Sequence, residues 1–157
     1  MTIVRLLSVA FLLGLFVVAS IGARAADCDA PKPTGQISQP GSNVPPSVKG
    51  LSGVWTGSWT FQITQGRTRQ NAIQCDVTYI SVHDDQNAEV VECLGSLHEL
   101  NYAPRCDKYE AKIANGELSY STVTQSARSF KLSGAASLSA QSVNIRNTTT
   151  ITQLQRE

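Results

Sequence analysis

Residues 54–64 alternate without a break: Trp55, Trp59, Phe61 and Ile63 fall on one face, and Thr56, Ser58, Thr60, Gln62 and Thr64 on the other. Successive side chains of a strand point to opposite sides, so this is the pattern of a strand with one apolar and one wet face. The same period of two, rich in Ser and Thr, continues to the end of the chain without a helical period. An all-β fold follows. A chain of 157 residues holds one such domain, here residues 51–157.

The turn signals set the strand order. Asn115-Gly116 favours a two-residue type I′ hairpin, because both residues tolerate positive φ, and pairing outward from it places Ile113 opposite Leu118. Asp84-Asp85-Gln86-Asn87 and Leu94-Gly95-Ser96 read as further reversals. In the second strand Ile73, Cys75, Val77 and Tyr79 share a face, before Ile80 and Val82 shift the phase as at a bulge. An up-and-down antiparallel sheet joins its first strand to its last only with an even number of strands. The expected fold is therefore an eight-stranded antiparallel up-and-down barrel, with strands near residues 54–64, 70–82, 88–93, 97–102, 107–114, 117–125, 127–139 and 142–154.

The amino-terminal third is different. Arg5 precedes an uncharged apolar run over residues 6–23, and Ala23-Arg24-Ala25 supplies the small residues of a cleavage site, so residues 1–25 read as a secretory signal peptide. Its removal leaves no membrane span and implies a periplasmic or secreted protein. Residues 26–50 hold five prolines and show no strand or helix period, and read as a Pro-rich tail or linker. Losing Arg5 and Arg24 from thirteen basic residues leaves eleven against twelve acidic ones. Nucleic-acid binding, which rests on an excess of positive charge, is not expected.

Four cysteines in an exported chain permit two disulfides in three connectivities. On the proposed topology Cys75 and Cys93 lie on neighbouring strands, while Cys106 lies where the tail enters, which favours Cys75 with Cys93 and Cys28 with Cys106. A zinc site is not expected, since the close pairing of ribbons and fingers is absent.

At Leu51-Ser52-Gly53-Val54-Trp55 the sequence resembles the opening strand of the calycins, the superfamily of lipocalins and avidins. The resemblance implies a tryptophan at the closed end of the barrel, packed beneath a basic side chain from the last strand, for which Arg156 is the candidate. It also implies a binding interior, with Trp59, Phe61, Tyr79 and Tyr120 as inward ligand-facing residues and Arg67 and Arg69 in a mouth loop able to contact an anion. The same beginning is similar to bacterial inhibitors of secreted metalloproteinases, whose amino-terminal segment enters the protease cleft; by that analogy residues 27–50 would carry inhibition. The cysteine pattern departs from that family.

Catalytic signatures are sparse. His83 and His98 are each followed by acids, but the meander sets them toward opposite ends of the barrel. No Gly-x-Ser-x-Gly elbow, phosphate-cradling loop or HExxH stretch occurs. Asn147-Thr148-Thr149 matches a glycosylation sequon. The expected protein is a non-enzymatic barrel without a cofactor or metal, whose partner is a compact small-molecule ligand or, alternatively, a secreted protease; an envelope structural role is a third reading.

Overall fold

In the computed structural model the described residues are 28–65, 67–143 and 149–157, without the side chains of residues 61, 64, 65, 99 and 149–152. The expected leader and most of the sequon lie outside the described residues. Eight strands close into an antiparallel up-and-down barrel: β1 (Gly53–Gln65), β2 (Thr68–Val82), β3 (Asn87–Leu94), β4 (Arg105–Ala114), β5 (Glu117–Ser121), β6 (Ala127–Gly134), β7 (Ser137–Val143) and β8 (Thr149–Arg156). The seam sets Trp55 opposite Arg156 and Thr56 opposite Gln155. Among the described residues no helix is long and apolar enough to cross a membrane.

The count of eight is reached by a different division of the chain. No strand covers residues 97–102; a single bridge joins Leu97 to Tyr102 around a 3-10 turn, His98–Leu100. The additional strand arises because residues 127–139 do not run straight through but turn back between Gly134 and Ser137. In that hairpin Phe130 opposes Ala140 and Leu132 opposes Leu138. Even-numbered residues stay inside on both arms, so alternation alone does not reveal the reversal. The Asn115-Gly116 turn forms as read, with φ of 53° and 75°, and Ile113 opposes Leu118.

The phase of β2 is also reversed from expectation. Trp55 opposes Thr78 and Trp59 opposes Gln74, so Ala72, Gln74, Asp76, Thr78 and Ile80 are the buried inward set. Ile73, Cys75, Val77 and Tyr79 share the outer face, and Ile73 is 65% exposed. Ile80 and Val82 simply continue the inward set, and pairing with β3 runs unbroken from Val82–Ala88 to Asp76–Leu94, without a bulge. The register shift that does occur lies in β6, between Leu132 and Gly134.

Residues 28–45, read as a loose tail, instead form a strap across the outside of β2 to β4. Asp29 accepts the Ser96 amide at 2.9 Å, Ser38 donates its hydroxyl to Glu89 at 2.7 Å, and the Gly41 amide bonds the Val82 carbonyl at 2.9 Å. Only glycine fits at position 41, where a Cβ would collide with the His83 carbonyl. The strap explains why Ser81, Glu89, Val91 and Cys93 are buried although they face outward. Beyond it, the short helix α1 (Pro46–Lys49) seats Val48, and Leu51 follows into the core. The Trp55 indole donates to the Leu51 carbonyl at 2.9 Å, and the Arg156 guanidinium lies 4.4 Å from its ring centroid. This is the closed end, sealed by the pairing that the Gly-x-Trp resemblance implies.

The disulfides differ from the favoured pairing: Cys28 bonds Cys75, and Cys93 bonds Cys106. Register decides this. Cys93 stands directly opposite Cys106 on β4, with Cα atoms 4.0 Å apart, whereas its β2 neighbour is Val77 rather than Cys75. Cys75 lies just beyond the end of β3 and takes the first described residue of the strap. In the chain-entropy model, loops spanning 47 and 13 residues contribute about 4 and about 3 kcal/mol.

Candidate functional site in the barrel interior

Four strands bring a charged cluster into the middle of the barrel. Thr78 on β2 stands opposite Glu92 on β3, and Tyr120 on β5 stands opposite Arg128 on β6; Asp76 is the next inward residue of β2. Asp76, Thr78 and Glu92 are each at most 1% exposed. The Trp59 indole donates to Asp76 Oδ2 at 2.9 Å and the Thr78 hydroxyl to Asp76 Oδ1 at 2.8 Å. Arg128 Nη1 lies 3.0 Å from Glu92 Oε1, and the guanidinium stacks 4.1 Å from the Trp59 ring centroid. Phe130 meets Trp59 edge-on and stacks against Tyr120, which stacks in turn against Tyr109. An aromatic wall therefore surrounds two carboxylates and one guanidinium.

Such a group is stable only if its charges balance, because isolated charges in a water-poor interior are strongly disfavoured. Burial, reinforced by the negative charge of Glu92, pushes the Asp76 carboxyl up to about 8. Burial raises Glu92 as well, against the pull of Arg128. With Asp76 protonated, Glu92 and Arg128 form a neutral pair. Arg128 Nη1 and Glu92 Oε1 face each other as an ion pair and the Tyr120 hydroxyl interacts with the same Glu92 carboxylate, which leaves the buried Arg128 Nε without a hydrogen-bond partner among the described residues. Buried polar groups normally find partners. A spare guanidinium donor at an aromatic-lined point can hold a small polar molecule or ordered water.

Of the residues that the sequence singles out, Trp59 and Tyr120 join this cluster, linked through Phe130. Tyr79 does not; it is half-buried on the outer face, opposite Val54 and Val91. The side chain of Phe61 lies outside the described residues. Arg67 and Arg69 are exposed at the tip of the β1–β2 hairpin. His83 and His98 stand at opposite ends of the barrel, after β2 and between β3 and β4. His98 approaches the Ser96 hydroxyl at 3.3 Å, but Asp29 binds Ser96 rather than the imidazole. Among the described side chains no carboxylate bonds the imidazole, the contact that orients the base in a nucleophile relay. Asp84 is engaged in its own turn, accepting the amides of Gln86 and Asn87 at 2.8 Å each.

Asp76, Glu92 and Arg128 escape sequence reasoning. A charge in an alternating strand reads as a wet face, and only the phase of β1 and β2 shows these to be inside. One signal was available: Glu92 lies between Val91 and Cys93 in a strand that is otherwise largely apolar. A concavity of about 370 Å³ opens over β5 to β7 and includes Tyr120 and Arg128 of this cluster in its lining, beside Ser119, Ser121, Ser129 and Gln141. Compared with known protein families, curated proteins and solved structures, the chain matches none of them.

Proposed function

We propose that this is an exported, non-enzymatic barrel that binds a compact polar ligand in its interior, with Arg128, Glu92 and Tyr120 as the polar contacts and Trp59 and Phe130 as the apolar ones. One observation carries this reading: the buried Arg128 Nε has no hydrogen-bond partner among the described residues, and Arg128 and Tyr120 both line a concavity of about 370 Å³ beside the aromatic wall. A planar guanidinium offers two parallel donors, which suits a carboxylate, a phosphate or a carbonyl. Two disulfides among four cysteines fit an oxidising compartment.

Native mass spectrometry of the oxidised protein purified from its own host tests the reading. The expected result is a retained small molecule in the wild type that is lost in Arg128→Lys, which keeps the charge but not the fork. An empty wild type, with no thermal shift on adding a small-molecule extract of the host, would contradict it. The inhibitor reading ranks second, because it needs a segment free to enter a cleft. Here the strap is fastened by Cys28, Ser38 and Gly41, and Val48 and Leu51 belong to the core.

A further inference from the structure

Two rows of side chains line the concavity over β5 to β7 beside Arg128 and Tyr120. Ser119, Ser129 and Gln141 stand opposite one another across the three strands, and Ser121 and Ala127 begin the next row. Neighbouring strands lie about 5 Å apart and alternate residues about 7 Å apart, so the rows frame a patch about 10 Å by 7 Å, the breadth of one or two six-membered rings. Its volume of about 370 Å³ is at the lower end of the range for ligand pockets. Among the described residues, the side chains of Ser119, Ser121, Ser129 and Gln141 make no hydrogen bond within the protein. At the other end of β6 and β7 the same chemistry is used internally, where Ser133 meets Ser137 at 3.1 Å and donates to Gln153 at 3.0 Å.

The charges behind these rows are balanced. Glu92 lies 3.0 Å from Arg128, and Asp76, its carboxyl pushed up to about 8, is uncharged near neutrality. Arg128 therefore offers hydrogen-bond donors without a net positive charge. An anion drawn onto it would place a second negative charge beside Glu92, and a buried charge without its own partner is disfavoured. A hydroxyl or carbonyl oxygen accepts from the same guanidinium without that penalty. Serine hydroxyls and a glutamine amide both donate and accept, and so does each hydroxyl of a sugar. We propose, building on the interior-binding reading above, that the concavity receives a neutral saccharide, with the Arg128 guanidinium donating to one of its oxygens and Ser119, Ser129 and Gln141 fixing its hydroxyls. The charge balance thus selects a neutral oxygen acceptor over the carboxylates and phosphates that a guanidinium also suits.

Nitrogen-15 NMR titration of the oxidised protein tests this, with glucose, N-acetylglucosamine and maltose set against citrate and inorganic phosphate. At least one of the sugars is expected to shift the amide signals of β5 to β7, with an affinity that does not change as salt rises. Citrate and phosphate are expected to leave those signals unmoved. Gln141→Ala and Ser129→Ala, both outside the core, are each expected to weaken sugar binding about fivefold, the loss of one hydrogen bond. Ser129→Leu is expected to abolish it by filling the concavity, with an unchanged circular dichroism spectrum. A preference for citrate or phosphate that weakens with salt, or variants that bind the sugar as the wild type does, would overturn the saccharide assignment and leave the interior site standing. A response to none of the probes would overturn it as well; the wider binding reading falls with it only if the wild type is also empty in native mass spectrometry.

Discussion

Asp76 is a carboxylic acid that the fold keeps protonated near neutrality, and its consequences appear in the pH dependence of stability. Its ordinary value is 3.8 and burial beside Glu92 lifts it to about 8. The folded chain therefore holds a proton that the unfolded chain has released over that interval. Stabilisation from this group is complete below the ordinary value and is lost as pH rises through the folded one. Denaturant melts from pH 5 to 9 are expected to show falling stability for the wild type and a flatter profile for Asp76→Asn; superimposable profiles would contradict this assignment. Arg128 acts in the same cluster. Arg128→Met strands Glu92, and an uncompensated buried charge costs about 3 kcal/mol or more. The loss is expected to shrink as pH falls and Glu92, whose carboxyl burial raises, takes up a proton, and to be largely recovered in Arg128→Met with Glu92→Gln. A double-mutant cycle measures both.

At the scale of elements, the strap and the closed end hold the barrel together by different means. Cys28→Ser with Cys75→Ser releases the strap, with an expected loss of about 4 kcal/mol in the chain-entropy model, and it uncovers Glu89. Burial pushes that carboxyl up, but Lys108 at 2.6 Å and Ser38 at 2.7 Å outweigh it and hold it below its ordinary value. Arg156→Ala removes the stacking on Trp55 and the 3.0 Å bond to the Ser52 carbonyl; a loss of about 1–2 kcal/mol is expected in urea melts. These elements also mark how far the sequence could be read. The alternation of β1, the hairpin at Asn115-Gly116 and the meeting of Trp55 with Arg156 were legible, because each depends on local chemistry or on closure. The facing of β2 was not, because a strap covers part of its outer face and the polar Gln74, Asp76 and Thr78 occupy its inner one, so apolarity no longer reports inside from outside. The hairpin at Gly134 was hidden by the parity of its register, and the cysteine partners depended on that register and on the path of the strap.

For the whole molecule, closure is what gives the interior its chemistry. Eight strands with a paired seam shield the middle of the barrel from water, and the low local dielectric strengthens the Glu92–Arg128 pair and keeps Asp76 neutral. The two ends then differ: one is sealed by α1, Leu51 and Trp55, and the other is ringed by exposed apolar side chains. Trp59 and Tyr120 were recognisable as interior candidates because aromatic residues stand out in alternating strands. Their charged neighbours became visible only with the three-dimensional register. The most direct test of this arrangement is the nitrogen-15 NMR signal of the Arg128 Nε–H. A guanidinium stacked 4.1 Å from the Trp59 centroid inside a closed barrel gives a ring-shifted proton that exchanges slowly with water. A signal at the ordinary arginine position that exchanges as fast as that of Arg67 would mean that the barrel does not enclose this cluster.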